Sequence, residues 1–596
     1  MPAPTVARCL AQRDLSEPRL DPTGAFVAFG SSHDGKGELR LVDMAGVESP
    51  WPLDPVHAVG RGMGGGCFRW LPDGSGIVYA AKTGGLWQAS LPTNGSVGVA
   101  CRVDTNGETG ALHGVSLSAD ARWVAAVESM SRMVIVEVAT GVVHRVEHPH
   151  AFSLDPVWFG DTVYWQCWSQ PNMPWDESEV WCATAPTFRA IRVVGRPSTS
   201  IQQVDVSAEG VLGVLSDVDG WLRPCSVDSG DIVPLSLNGP RCECGGPQWG
   251  GGLRSWCWSP DGSAYVVARN LDGFGDLAVV DRADGSVRTL ARAVHGSVSW
   301  SAHGIVALRT GAVTPTQIVW FDPVSFERRV LATAELPCDD GPWSVFDLVE
   351  PTVGSADGVP YRLYEPAGGG ASRLIVWVHG GPTDQWQVTF MPRIAHWVGR
   401  GCRVLVVDHR GTTGHGRAFQ QSLNGRWGEF DTDDVVSATR FAHANGWGEP
   451  ASTIAMGGSA GGFAALNAVG SHPDLFAGVV ALYPVVDLVD SLERSWEYEK
   501  HSIPVLVGGS AGDGDLYARR SPLSKLDGLA RSRVLLMHGD LDEAVPLEHS
   551  VILANELRHR GGDVQLHVFE GEGHGFRLRA NQEREYALIG EFLRAL

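Results

Sequence analysis

The chain has 596 residues, 43% of them hydrophobic and 19% charged, with a formal net charge of −21. At about 100–200 residues per domain, this length requires more than one globular domain, and the composition suits ordinary buried cores. The acidic balance argues against a nucleic-acid partner or an anionic membrane surface, since both need clustered Lys and Arg. It mildly favours cationic ligands, such as free amino termini.

The opening segment MPAPTVARCLAQRDL has no apolar stretch of the kind a secretory signal needs. No apolar run is long enough to predict a membrane-spanning helix. The 11 cysteines are scattered and odd in number, which predicts reduced thiols in a cytoplasmic protein. Cys242 and Cys244 form a C-x-C pair with no second pair or histidine at zinc spacing. No metal site is therefore expected.

Up to about residue 335, short apolar runs are separated by Gly, Asp, Asn and Pro clusters, the pattern of antiparallel strands. One element recurs: LDPTG at 20–24, LPDGSG at 71–76, SADAR at 118–122, FGDT at 159–162, SAEG at 207–210, SPDG at 259–262 and SAHG at 301–304. An apolar or aromatic strand end such as Phe68, Trp70, Trp158, Trp258 or Trp300 stands before it, and a β-rich run follows. A four-stranded propeller blade needs a repeat of about 40–50 residues, so seven elements predict a β-propeller of seven blades. The competing pattern is a β-sandwich array or an irregular β domain. Asp-Gly and related pairs suit hairpin turns that need positive φ.

From about residue 340, Val/Ile/Leu-rich strands alternate with helical segments. The strands read LIVWVHGGP (374–382), CRVLVVDHRG (402–411), TIAMGGSAGG (453–462), FAGVVALYPVVDL (476–488), RVLLMHGD (533–540) and VQLHVFEGEGHGF (564–576). TDDVVSATRFAHANG (432–446) is a helix with an acidic start and Gly at its end. This alternation predicts an α/β-hydrolase: a mostly parallel, doubly wound sheet with helices on both faces. The expected division is a 1–15 extension packing on the hydrolase, a 16–335 propeller and a 336–596 catalytic domain.

Gly457-Gly458-Ser459-Ala460-Gly461 fits G-x-S-x-G between an apolar strand and a helix, the setting of a nucleophile elbow. A serine hydroxyl needs a base, and the partners should follow in the order Ser, Asp, His, each after a strand. Asp542 follows RVLLMHGD and His574 follows LHVFEGEG. His574 is the candidate base, and Asp542, ahead of its rival Asp540, the acid that orients it. The oxyanion donors are expected to be the Ala460 N–H and the Gly381 N–H of His379-Gly380-Gly381-Pro382; HGGP could also be a simple turn. Such a triad needs no metal or organic cofactor.

These segments carry a resemblance. VHGGP (378–382), HRGTTGHGRAF (409–419), GRWGEFDTDDV (425–435), GGSAGG (457–462), HGDLDEAVP (538–546) and GEGHGF (571–576) resemble the prolyl oligopeptidase family of serine peptidases, especially its acylaminoacyl-peptidase-like branch. The resemblance runs over nearly the whole length. It implies that Ser459, Asp542 and His574 are the triad, that Gly381 and Ala460 are the oxyanion positions, and that the propeller acts as a lid admitting small peptides. NMPWDESEVW (172–181) and CECGGPQWG (242–250) look like family loops near the cavity, so Glu177, Glu179 and Glu243 could grip a substrate amine or could be solvated acids. Trp496 and Tyr498 in WEYEKH (496–501) could line the pocket or belong to the core.

Three positions depart from the family pattern. Ala544 stands where many relatives carry Arg or Asn, His409 where Tyr is usual, and His501 where an aromatic is expected. The expected activity is cleavage of short peptides near the N-terminus through an acyl-enzyme, as in an aminopeptidase, acylaminoacyl-peptidase or dipeptidyl-peptidase. The alternatives are an amidase, esterase or acyl transferase specialised for one small metabolite, and a non-catalytic propeller that binds a partner protein. The expected partner is a short peptide or small amide or ester, with homo-oligomerisation left open.

Overall fold

The computed structural model describes residues 3–58, 66–92, 100–107, 109–510 and 512–596. The chain divides into two compact units: Arg13–Leu336, and Pro337–Leu596 together with residues up to Gln12.

The first unit is a seven-bladed β-propeller, with seven antiparallel four-stranded sheets among the described residues, each built from four consecutive strands. Each recurring turn of the sequence lies between the first and second strands of a blade, as Asp21–Gly24 does between Asp14–Leu20 and Phe26–His33. Its acidic or hydroxyl side chain caps the turn; Asp21 accepts the N–H groups of Thr23 and Phe26, and Ser259 binds Asp261. The aromatic strand ends stitch neighbouring blades. The Trp70 indole N–H donates to the Arg19 carbonyl (3.0 Å), Trp158 to Ser116 (3.3 Å) and Trp256 to Gln203 (3.0 Å), each reaching the first strand of the preceding blade. A large apolar body with one polar handle suits that double duty. First and last blades meet in a shared core of Leu15, Val27 and Phe29 with Val306, Ile318 and Trp320, and the Arg13 N–H donates to Ala334 O (2.9 Å).

One further repeat was not evident in the residue types. Each blade has at least one residue at positive φ on or just before its first strand, among them Glu17 (48°), Gly66 (83°), Gly114 (63°), Asp155 (49°), Gln203 (50°), Gly252 (85°) and Ser297 (49°). In the strands that begin at Asp14, Phe152, Ile201 and Val294, the ladder slips in register at that point, the mark of a β-bulge. A Cβ on Gly66 would lie 3.2 Å from the Gly114 Cα and 3.5 Å from the Gly252 Cα.

The second unit holds one eight-stranded sheet: β1 (Thr352–Ala356), β2 (Val359–Tyr364), β3 (Arg373–Val378), β4 (Cys402–Val407), β5 (Thr453–Gly458), β6 (Gly478–Leu482), β7 (Arg533–Gly539) and β8 (Val564–Phe569). The strands run in the order 1-2-4-3-5-6-7-8. Pairings β1–β2 and β2–β4 are antiparallel and the rest parallel. The central strands are apolar on both faces, since helices cover them. Among its helices are α1 (Val6–Leu10), α2 (Pro392–Gly399), α3 (Phe430–Ala444), α4 (Ala460–Ser471), α5 (Glu548–His559) and α6 (Arg579–Arg594). Alternate residues of the strands, such as Leu374, Val376 and Val378, pack with α3, α4 and α5 in one core. Helices α2 and α6 pack together through His396 and Tyr586, with ring centroids 4.7 Å apart.

The N-terminal segment is fastened to this unit, where Pro4 O accepts from Arg400 (2.7 Å) and Arg8 donates to Gly341 O (2.9 Å). The first propeller strand starts at Asp14, so Asp14 and Leu15 pair within the propeller sheet.

Candidate active site

Ser459 occupies the turn between β5 and α4, at φ 56° and ψ −127°. Such a conformation costs an L-residue about 1–3 kcal/mol and persists only where the surroundings enforce it. Neighbouring glycines permit it. A Cβ on Gly457 would stand 2.4 Å from Gly461, and one on Gly461 2.3 Å from Val378 O. The Ser459 N–H donates to Leu482 O (2.9 Å), fixing the turn to β6. Ala460 is the first residue of α4, so its N–H has no intrahelical acceptor. Across from the elbow, a Cβ on Gly380 would lie 3.5 Å from Ser459 Cβ. Gly381 follows at φ 121°.

The HGGP turn is braced from behind. His379, fully buried, donates through Nδ1 to Gly380 O (2.7 Å) and accepts from the Thr412 hydroxyl at Nε2 (2.7 Å). Its ring stacks on His409, centroids 4.6 Å apart. Burial first, and then the neighbouring His409, lower its pKa to about 3, so it is neutral. Below it, buried Asp408 is gripped by Arg362, by Gln385 (2.9 Å) and by His415 (2.8 Å). Burial alone would raise the Asp408 pKa; Arg362 and His415 outweigh it and hold the carboxylate far below its usual range. Arg410 pairs with Asp434 (2.7 Å), tying together the two segments that are most specific to the family resemblance.

Asp542 and His574 come together. The His574 Nδ1–H donates to Asp542 Oδ2 at 2.8 Å, while Oδ1 accepts the N–H groups of Ala544 (3.0 Å) and Val545 (2.9 Å). Burial works to raise the Asp542 pKa. The hydrogen bonds with His538 and His574 and the Val545 N–H prevail and keep it well below the carboxylate range. Asp540 is used elsewhere, accepting the Gly571 N–H (2.7 Å). Tyr483, just after β6, joins the two halves of the site. Its ring lies 4.6 Å from that of His574, and a Cβ on Gly458 would stand 2.9 Å from it.

The three propeller glutamates are already in use. Glu179 receives His150 (3.0 Å), Arg192 (2.9 Å) and the Trp181 indole N–H (2.8 Å). Glu177 accepts the Ser198 N–H (2.7 Å), and buried Glu243 accepts the Leu222 N–H (2.9 Å). Amine-gripping carboxylates should be open to a ligand, whereas these hold the propeller's own loops. Trp496 and Tyr498 stack on each other, centroids 5.0 Å apart; Tyr498 is buried and Trp496 half-buried.

The residue of WEYEKH that sequence reasoning passed over is Glu499. Its side chain is half-buried, and its charge interacts with those of His574 and Asp542. Burial, opposed by His574, raises its pKa to about 7.

The sheet order and the strained serine ahead of a helix define an α/β-hydrolase domain with a nucleophile elbow. Within this domain, residues 388–596 match the profile of the prolyl oligopeptidase family. Dipeptidyl peptidase family member 6 of Caenorhabditis elegans is 30% identical over 227 residues, 37% of this chain and 30% of that protein. The acylamino-acid-releasing enzyme of Sus scrofa is 26% identical over 397 residues, 61% of this chain and 52% of that protein. The chain thus spans about half the length, or less, of these curated relatives. A puromycin-hydrolyzing peptidase of Mycobacterium tuberculosis has the same fold, with a TM-score of 0.86 at 24% identity, covering 98% of this chain and 95% of that one.

Proposed function

We propose that this protein is a serine peptidase that cleaves short peptides near their N-terminus through an acyl-enzyme on Ser459. The hydrogen bond between His574 Nδ1–H and Asp542 carries the reading, because it fixes the tautomer that leaves the far ring nitrogen, Nε2, free to accept a proton. In this mechanism His574 takes the Ser459 proton as the hydroxyl attacks the scissile carbonyl. Asp542, ionised throughout, stabilises the imidazolium. The N–H groups of Gly381 and Ala460 receive the developing oxyanion, where losing one such donor costs about 10²–10³ in rate. The imidazolium then protonates the leaving amine, and water, deprotonated by the same histidine, releases the acyl group.

The names of the relatives, a dipeptidyl peptidase, acylamino-acid-releasing enzymes and a puromycin-hydrolyzing peptidase, support a substrate cleaved close to its amino end. The protein is proposed to work in the cytoplasm without a metal or cofactor. Ala544 favours one competing reading, an amidase, esterase or acyl transferase for a single metabolite, because it offers no side chain to hold a substrate carbonyl.

A fluorophosphonate probe and a panel of aminoacyl- and acylaminoacyl-nitroanilides test the proposal. Labelling of the wild type, its loss in Ser459→Ala, and hydrolysis of the panel are expected. An intact panel alongside rapid turnover of simple esters would overturn the peptidase reading.

A further inference from the structure

The HGDLDEAVP motif supplies Asp542 to the site, yet its first residue has no part in the mechanism above. His538 is fully buried near the end of β7, where it stands opposite Val568 of β8 in the parallel ladder. Its ring is held at both nitrogens. Nε2 lies 2.9 Å from Val545 O and 3.5 Å from Asp542 Oδ2. Both of these are acceptors, so the ring hydrogen sits on Nε2. Nδ1 then accepts from the hydroxyl of Ser550 on α5 at 2.8 Å, and Ser550 is fully buried as well. The intervening loop closes on itself through Val545, whose N–H donates to Asp542 Oδ1 (2.9 Å) while its carbonyl accepts from His538.

We propose that His538 is a positioning residue that holds Asp542 Oδ2 against His574. The inference rests on the serine-hydrolase reading above. The N–H groups of Ala544 and Val545 pin Oδ1. A carboxylate pinned at one oxygen can still swing the other about its Cβ–Cγ bond. Oδ2 is the oxygen that meets His574 at 2.8 Å, and the His538 N–H faces that same oxygen from β7. Both the His538 and the Asp542 side chains are withdrawn from solvent, so water does not replace the contact. The contact also favours the ionised acid: burial raises the Asp542 pKa, and the hydrogen bonds of His538 and then His574 lower it. Because β7 and α5 fix the imidazole in advance, the acid is ordered before substrate arrives.

The test is a double-mutant cycle read by the rate at which a fluorophosphonate labels Ser459 in the full-length protein, so that no particular substrate is assumed. His538→Leu should slow labelling about tenfold, the weak end of the range for a hydrogen bond to a charged group. His538→Gln, which can place an amide N–H near the position of Nε2, should recover part of that rate. Ser550→Ala, which removes only the partner of Nδ1, should slow labelling by about two- to threefold and takes the place of His538→Leu where that variant does not fold. In an Asp542→Ala background, which has no carboxylate to hold, each substitution should change the rate by less than about twofold. A residue needed only for packing would cost the same in both backgrounds, and that result overturns the assignment. So does a His538→Leu rate equal to that of the wild type, or a His538→Gln rate no higher than that of His538→Leu. A folded wild type that escapes labelling refutes the hydrolase reading itself, whereas a labelled wild type with an additive cycle refutes this inference alone.

Discussion

Glu179 in the propeller and Glu499 in the hydrolase are treated in opposite ways. In the propeller, Glu179 is surrounded by a histidine, an arginine and an indole N–H, and Glu17 accepts backbone N–H groups beside Arg19. In the hydrolase, the Glu499 carboxylate makes no hydrogen bond or ion pair among the described residues, and Ser459 holds a strained turn. A structural site satisfies its polar groups internally, whereas a chemical site leaves some of them for a ligand. Proximity to a family motif in sequence therefore says less about function than whether a side chain is already engaged.

The sharpest way to break this comparison is at the proposed triad acid. Asp542→Asn should lower kcat by about 10³–10⁴-fold, because the amide no longer enforces the productive imidazole tautomer. Asp540→Asn, which weakens only the bond to Gly571, should cost far less. Equal losses in steady-state kinetics would show that the acid had been assigned to the wrong residue. Gly381→Ala forces a side chain into backbone at φ 121° and should reduce kcat by about 10²–10³-fold through the displaced oxyanion donor, with a smaller effect on KM.

Asp408 tests whether a satisfied network inside the hydrolase is structural. Asp408→Asn leaves Arg362 buried beside a neutral amide and should destabilise the fold by about 3–5 kcal/mol, read as a fall in Tm. The sign of the pH effect follows from the depressed pKa. The Asp408 contribution is complete above the unfolded carboxylate value of about 3.9 and is lost as pH falls through the lower folded value. The Tm difference between wild type and Asp408→Asn should therefore shrink in acid, and a gap that widens there would contradict the assignment. The smallest effect is expected in the propeller. Glu179→Gln should change kcat/KM by less than about twofold and stability by about 1 kcal/mol, as for a half-exposed ion pair. A selective loss on free-amine substrates would restore Glu179 as a substrate ligand.

Much of this architecture could be read directly from residue order. The seven turn elements marked the first hairpin of every blade because Asp, Ser and Gly satisfy that turn chemistry locally. G-G-S-A-G-G announced the elbow, since only glycine fits where Gly457 and Gly461 meet backbone. Less visible was the ring of positive-φ residues near the propeller axis, where Glu17, Asp155, Gln203 and Ser297 stand in the same position as glycines. Tyr483 carries no motif; it matters only because His574 and Gly458 lie beside it.

Sequence alone determined the two units, the strand-turn-helix around Ser459 and the chain order of the proposed nucleophile, acid and base, because these depend on local propensity and on spacing along the chain. Tertiary structure decided which aspartate meets His574 and which glutamates are engaged by neighbouring side chains and backbone. Those outcomes depend on through-space distance and burial between residues far apart in sequence, and no local pattern of residue types encodes them.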